Sequence, residues 1–212
     1  GKTTTLETIE GLQTPTSGST RVLGLDSHRQ AARVKELIGV QLQASAYFDF
    51  LTLREILQLF GSFYRRRLPP DELLARVGLH DKAGSQVRHL SGGQQQRFSI
   101  IASMVNDPQV LFLDEPTTGL DPQARRSLWD LIRDIRRQGT TIVLTTHYME
   151  EAQALCDRVA IVDGGRIVAL DSPERLIQGL EAPFNLRVRL AGTVDPACLA
   201  VTGVGRVTVD GQ

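Results

Sequence analysis

Several residues in this chain are of the types, and at the spacings, that phosphate and divalent-cation chemistry needs. Gly1-Lys2-Thr3-Thr4 opens a run with helical period. Backbone N–H groups at a helix start converge on anions, helped by the partial positive charge of the helix end. Lys2 there can offset the charge of phosphate oxygens, the Thr3 hydroxyl can hold Mg2+, and Thr4 can add one more phosphate contact. Val110-Leu111-Phe112-Leu113 is an apolar run followed by two carboxylates, Asp114 and Glu115. Ligands of open α/β sheets bind at the carboxyl ends of strands. Asp114 is therefore a candidate metal ligand and Glu115 a candidate general base. Ser91-Gly92-Gly93-Gln94 starts another helical run; a Ser N-cap followed by two glycines bares N–H donors with no side chain in the way. Gln43 and His147 each end a strand-like run. Taken singly, a glutamine is surface filler and a histidine structural more often than either is catalytic.

Alternating elements must position these groups. A helix over 3–12 turns Leu6, Ile9 and Leu12 to one side and stops at Gly11 and at Pro15 to Gly18. Residues 20–25 form a short strand-like piece, 28–37 a polar helix and 38–42 an apolar strand. From 52 to 105 the period is helical, with Leu53, Ile56, Leu57, Phe60, Phe63 and Tyr64 making one apolar stripe. Pro69-Pro70 interrupts it, 71–78 is a short helix, and a longer helix runs from 91 to about 106. Then come strand 110–113, helix 123–138, strand 140–145, helix 148–156 and a hairpin around Asp163-Gly164-Gly165. Strands separated by helices predict an α/β fold with a parallel sheet covered on both faces. Runs 187–190 and 206–209 hint at a small β-rich module toward the carboxyl end.

Composition excludes several classes. The 212 residues are 41% apolar and 23% charged, a globular profile, with 24 basic and 24 acidic residues. Such a balance gives no electrostatic case for nucleic acid as a partner, and Arg65-Arg66-Arg67 is a solvated helix end. Cys156 and Cys198 have neither metal-ligand spacing nor a disulfide framework. No run approaches the ~20 apolar residues of a membrane span.

Together the segments resemble the working parts of an ATP-binding cassette (ABC) ATPase. Gly1-Lys2-Thr3-Thr4 resembles the end of a Walker A loop and Leu113-Asp114-Glu115-Pro116 a Walker B end. Leu90-Ser91-Gly92-Gly93-Gln94-Gln95-Gln96-Arg97 resembles the ABC signature almost letter for letter. Gly119-Leu120-Asp121-Pro122 is similar to the D-loop, and Thr145-Thr146-His147-Tyr148-Met149-Glu150-Glu151-Ala152 to the histidine switch. Gln43 stands where the family has its Q-loop glutamine; Gln41 is a nearby rival, and Leu42 replaces the proline often found before that glutamine.

The resemblance implies a P-loop NTPase with a parallel sheet core, a helical subdomain at about 44–105 and an ABC domain over 1–178. Residues 179–212 are then the start of a truncated accessory module. ATP is implied as ligand of Gly1, Lys2, Thr3, Thr4, Ser91, Gly92, Gly93, Gln94 and Asp121. Mg2+ is implied at Thr3, Gln43 and Asp114, with catalysis by Glu115, His147 and Gln43. The signature would act on ATP held by a second ATPase subunit, in a head-to-tail dimer expected to be a homodimer. A transmembrane permease is the other implied partner, which puts the protein at the cytoplasmic face of the cell membrane. Residues 140–176 resemble the drug- and polysaccharide-export branch, of the daunorubicin-resistance type. Two other readings follow from the same motifs: a non-transport ABC ATPase of the translation-factor kind, and a piece of a longer ATPase that begins inside Walker A and binds ATP poorly alone.

Overall fold

The structure, a computed structural model, describes residues 1–41 and 47–180. Helix α1 (Lys2–Ile9) leads to a small hairpin, β1 (Arg21–Val22) and β2 (Leu25–Asp26), then α2 (Ala31–Leu37) and β3 (Ile38–Gln41). Helices α3 (Leu53–Ser62), α4 (Pro70–Arg76) and α5 (Gly92–Ala102) follow, with two short 3-10 turns before α5. The chain continues through β4 (Val110–Asp114), α6 (Pro122–Arg137), β5 (Thr141–Thr145) and α7 (Met149–Leu155). It then forms a second hairpin, β6 (Val159–Asp163) with β7 (Arg166–Asp171), and α8 (Pro173–Gln178).

Strands β3, β4 and β5 make a parallel sheet in that order, with β4 central. Val110 to Leu113 of β4 are all buried, so the strand shows no polar alternation. The pleat sends Val110 and Phe112 to one face, where Leu6 of α1, Val34 of α2 and Ile38 complete a small core. Leu111 and Leu113 face the other way, into the larger core that α3 to α7 build with Leu53, Leu57, Phe98 and Leu128. The register pairs Gln41 with Leu113 and Asp114 with Thr145, so the carboxyl ends of the strands lie together.

Two local devices hold β3 against α5. A Cβ at Gly39 would fall 2.1 Å from the Ser103 carbonyl oxygen, so only glycine permits this approach. Asn106, buried just beyond α5, donates from its amide to the carbonyls of Ile38 at 2.8 Å and Glu36 at 3.3 Å. It thereby pairs polar groups at the end of α2 and start of β3 that burial would otherwise penalise.

Several expectations need correction. Phe63, expected in the apolar stripe, is 70% exposed just past the end of α3, and Arg65 to Arg67 lie in the connection between α3 and α4 rather than at a helix end. The first helix ends at Ile9, because Gly11 takes φ +77°, and Leu12 is 53% exposed rather than inward. Residues 20–25 belong to a two-strand hairpin rather than a lone strand. The helix from Ser91 ends at Ala102, while Met104 and Val105 stay buried in the turn beyond it. Runs 187–190 and 206–209 lie outside the described residues.

Candidate functional site

The site forms where α1 begins and β4 and β5 end. Lys2 is the first residue of α1, with Gly1 at the N-cap. Its Nζ donates to the Thr146 carbonyl at 3.0 Å and lies 3.8 Å from Glu115 Oε1. His147 brings Nδ1 to 3.3 Å from Glu115 Oε2. One carboxylate thus sits between an ammonium and an imidazole, with Thr118 Oγ1 donating to Oε2 at 3.3 Å. All three groups keep solvent access, with Glu115 the least exposed at 28%.

Thr145 organises the acidic pair. Its hydroxyl donates to the Asp114 carboxylate and accepts the Glu115 N–H at 3.2 Å, while its carbonyl accepts the same N–H at 3.1 Å. Glu115 adopts φ +48°, a left-handed conformation that L-residues other than glycine pay for with strain. That backbone turn is what aims its side chain back toward Lys2 and His147.

A second constellation lies elsewhere on the surface. Ser91 caps α5 in a capping box: Ser91 Oγ accepts the Gln94 N–H at 3.4 Å, and Gln94 Oε1 accepts the Ser91 N–H at 3.1 Å. Lys82 also donates to Gln94 Oε1, at 3.2 Å. Gly93 packs against α6, where an added Cβ would meet the Ala124 Cβ at 3.3 Å. Asp121 caps α6 by accepting from Gln123 N and Ala124 N, both at 2.9 Å. Ser91 to Gln94 and Asp121 line a common groove of about 360 Å3. Lys2, Asp114, Glu115 and His147 take no part in its lining. Gln96 of α5 donates to the Pro116 carbonyl, which ties α5 to the turn after Glu115.

The structure therefore brings Lys2, Asp114, Glu115 and His147 together, and separately Ser91, Gly92, Gly93, Gln94 and Asp121. Thr3 is half-buried in the first turn of α1, and among the described residues its hydroxyl has no hydrogen-bond partner. Thr4 is exposed, its carbonyl accepting from Thr8 Oγ1 at 2.7 Å. Gln43 lies outside the described residues. Its rival Gln41 ends β3, buried, with Oε1 unpaired among the described residues.

Sequence reasoning missed Thr145, whose role depends on the β4–β5 register, and Glu10, which follows α1. Glu10 is 5% exposed, and its carboxyl is raised to about 7, first by burial, then by the charges of Asp114 and Glu7.

Residues 1–118 match the family model described as ABC transporter. Over 184 residues the chain is 42% identical to the Nod factor export ATP-binding protein I of Ralstonia nicotianae, covering 84% of this chain and 57% of that protein. Over 216 residues it is 42% identical to the daunorubicin resistance ATP-binding protein DrrA3 of Streptomyces coeruleorubidus, covering 99% of this chain and 68% of that one. The chain thus spans somewhat over half the length of the Nod factor relative. A solved structure described as the ATP binding subunit of an ABC transporter superposes with TM-score 0.72 at 29% identity, over 84% of this chain and 76% of the other. CbiO1 from Clostridium perfringens, part of the ABC transporter complex cbiONQ, gives TM-score 0.72 at 27% identity, over 84% and 75%. With its family model matched over more than half its length and a relative 42% identical over 99% of it, the chain belongs to the ABC transporter ATP-binding family.

Proposed function

We propose that this chain is the ATP-binding and ATP-hydrolysing part of an ABC exporter, acting as a dimer on a partner permease. The observation that carries the reading is the convergence of Lys2, Glu115 and His147 at the ends of two parallel strands. The reaction is phosphoryl transfer to water. Lys2 and the N–H groups at the start of α1 offset charge on the phosphates, Glu115 accepts a proton from the attacking water, and His147 holds that carboxylate in line. Glu115 does this from a conformation fixed by Thr145, so it need not reorganise as the reaction proceeds.

Mg2+ suits the oxygen donors present. Thr3 supplies a hydroxyl without a partner among the described residues, and Asp114 has only one oxygen engaged by Thr145. Thr3 and Asp114 would hold the ion, with Gln43 a third candidate, and when bound it supplies charge neutralisation at the phosphate oxygens.

The separation of the two constellations supports a dimer. Ser91, Gly92, Gly93, Gln94 and Asp121 line a groove that shares no residue with the Lys2 centre. In a head-to-tail pair each groove faces the other subunit's ATP, so that nucleotide closes the pair and hydrolysis releases it. Among the described residues no helix is long and apolar enough to cross a membrane. A membrane permease as partner, at the cytoplasmic face, is supported by the likeness to CbiO1, itself part of a transporter complex. Phe48 and Phe50, 59% and 86% exposed at the entry to the helical region, are candidates for that contact. Tyr47 is not, since its ring packs 5.3 Å from that of Phe98. Export as the direction, with a drug- or polysaccharide-like cargo, rests on the names of the relatives. The nucleotide-binding domain is assigned to 1–178 and an accessory module to 179–212.

Glu115→Gln tests the reading. In the full-length protein it should lower ATP turnover by roughly a hundredfold or more and trap an ATP-dependent dimer. Turnover that persists in this variant removes Glu115 as the base.

A further inference from the structure

Four contacts join α6 to the segment around α7 in matching order. The Arg125 guanidinium lies 4.4 Å from the Tyr148 ring centroid. Trp129 Nε1–H donates to Glu151 Oε1 at 3.0 Å, and Arg133 donates to the Ala154 carbonyl at 3.5 Å. Arg136 pairs with Asp157 at 2.6 Å. On α6 these residues recur every three or four positions and so share one face. Because their partners rise in the same order, the two helices run side by side with their N-termini adjacent. One N-terminus is capped by Asp121; the other begins just after His147.

The first rung reaches the site. The Tyr148 and His147 rings stand 4.0 Å apart between centroids, tilted by 40°. The Tyr148 N–H donates to Thr146 Oγ1 at 2.9 Å, which fixes the backbone beneath the pair. Arg125 also donates to the Leu120 carbonyl at 3.5 Å, directly before Asp121. Its Nε is buried without a partner among the described residues. Below, Glu151 is fully buried with Oε2 unpaired among the described residues, leaving the Trp129 indole as its hydrogen-bond donor there. A half-satisfied buried carboxylate is costly; it fixes geometry at the expense of stability.

His147 itself is held by little. Its side chain is 46% exposed, and among the described residues its polar contact is with Glu115. Without a ring face beside it, the imidazole is free to swing between rotamers. We propose that Tyr148, clamped by Arg125, is a positioning residue that keeps the His147 imidazole against Glu115 and ties it to the turn carrying Asp121. The proposal rests on the ATP-hydrolysis reading of the site. It makes the histidine segment and the Asp121 turn a single body, so that movement of one displaces the other.

The test uses the full-length protein with Tyr148→Ala and Tyr148→Phe, each alone and combined with His147→Ala. Tyr148→Ala should lower kcat by roughly tenfold to a hundredfold, the scale of a misplaced catalytic group, at unchanged KM for ATP. Tyr148→Phe keeps the ring and should restore kcat. In the His147→Ala background, Tyr148→Ala should cost nothing further, because the tyrosine acts through the histidine. Additive losses, or a phenylalanine no better than alanine, overturn the proposal. Should Tyr148→Ala fail to fold, Arg125→Gln removes the clamp and leaves the ring; it should lower kcat several-fold at unchanged KM, and an unaltered kcat overturns the clamp. The His147 ring resonance, identified by its loss in His147→Ala, should move in Tyr148→Ala and stay in Tyr148→Phe. A wild-type protein inert toward ATP overturns the functional reading, while that resonance still decides the contact.

Discussion

Glu10 offers a stability test whose sign and size both follow from its surroundings. It sits at the end of α1, 5% exposed, with no hydrogen bond or ion pair from its side chain among the described residues. Burial is the main reason its carboxyl rises from 4.5 to about 7; the negative charges of Asp114 and Glu7 add to the effect. In the unfolded chain the proton leaves at the lower value. Between these two values the folded state holds a proton that the unfolded state has lost, so stability falls as pH rises through this window. At about 1.4 kcal/mol per pH unit the penalty reaches roughly 3 kcal/mol once Glu10 is ionised in the native state. Glu10→Gln removes it. Urea unfolding at about pH 5, 6.5 and 8 should find the variant close to wild type at the lowest value and more stable by about 2–3 kcal/mol at the highest. Asp114→Asn should shrink the same window by removing the second cause. Wild-type and Glu10→Gln stabilities that stay parallel across the range would refute the argument.

Two further outcomes probe the packing and the acidic pair. Gly39→Ala puts a methyl group 2.1 Å from a backbone oxygen that cannot rotate away. It should cost about 3 kcal/mol or more, seen as a lower thermal midpoint, and a neutral result would mean β3 does not approach α5 so closely. Thr145→Val keeps the shape but removes the hydroxyl that touches both Asp114 and the Glu115 N–H. Stability should fall by about 1–2 kcal/mol and ATP turnover by considerably more, whereas equal proportional effects on both would assign Thr145 to the fold alone.

The parts of the site legible in the sequence lie at junctions. Lys2 opens a helix, Asp114 and Glu115 end an apolar strand, Ser91 and Asp121 cap helices, and His147 follows a β-branched run. Local periodicity locates such junctions, and the physics of helix ends and strand ends gives them meaning. What escaped depends on pairing across the chain. Thr145 acquires its role only from standing opposite Asp114 in the sheet. Arg125 and Trp129 look like ordinary residues of an amphipathic helix until α7 lies beside them. Glu10 precedes Gly11 like any solvated acid at a helix end, and nothing local announces that it is buried. Leu12 misled in the opposite sense, because the positive φ of Gly11 turns the chain before the apolar stripe can continue.

The left-handed backbone of Glu115 has a consequence for anyone selecting variants of this protein by heat resistance. A glutamate at φ +48° stores strain of about 1–2 kcal/mol, which asparagine at the same position largely relieves. Glycine does so too, though it gains disorder in the unfolded chain. Either exchange removes the carboxylate that faces Lys2 and His147. A screen that counts survivors of heating, without counting phosphate released, would therefore enrich inert molecules at this one codon. Durability and turnover pull in opposite directions here, and a library built for robustness should hold Glu115 constant.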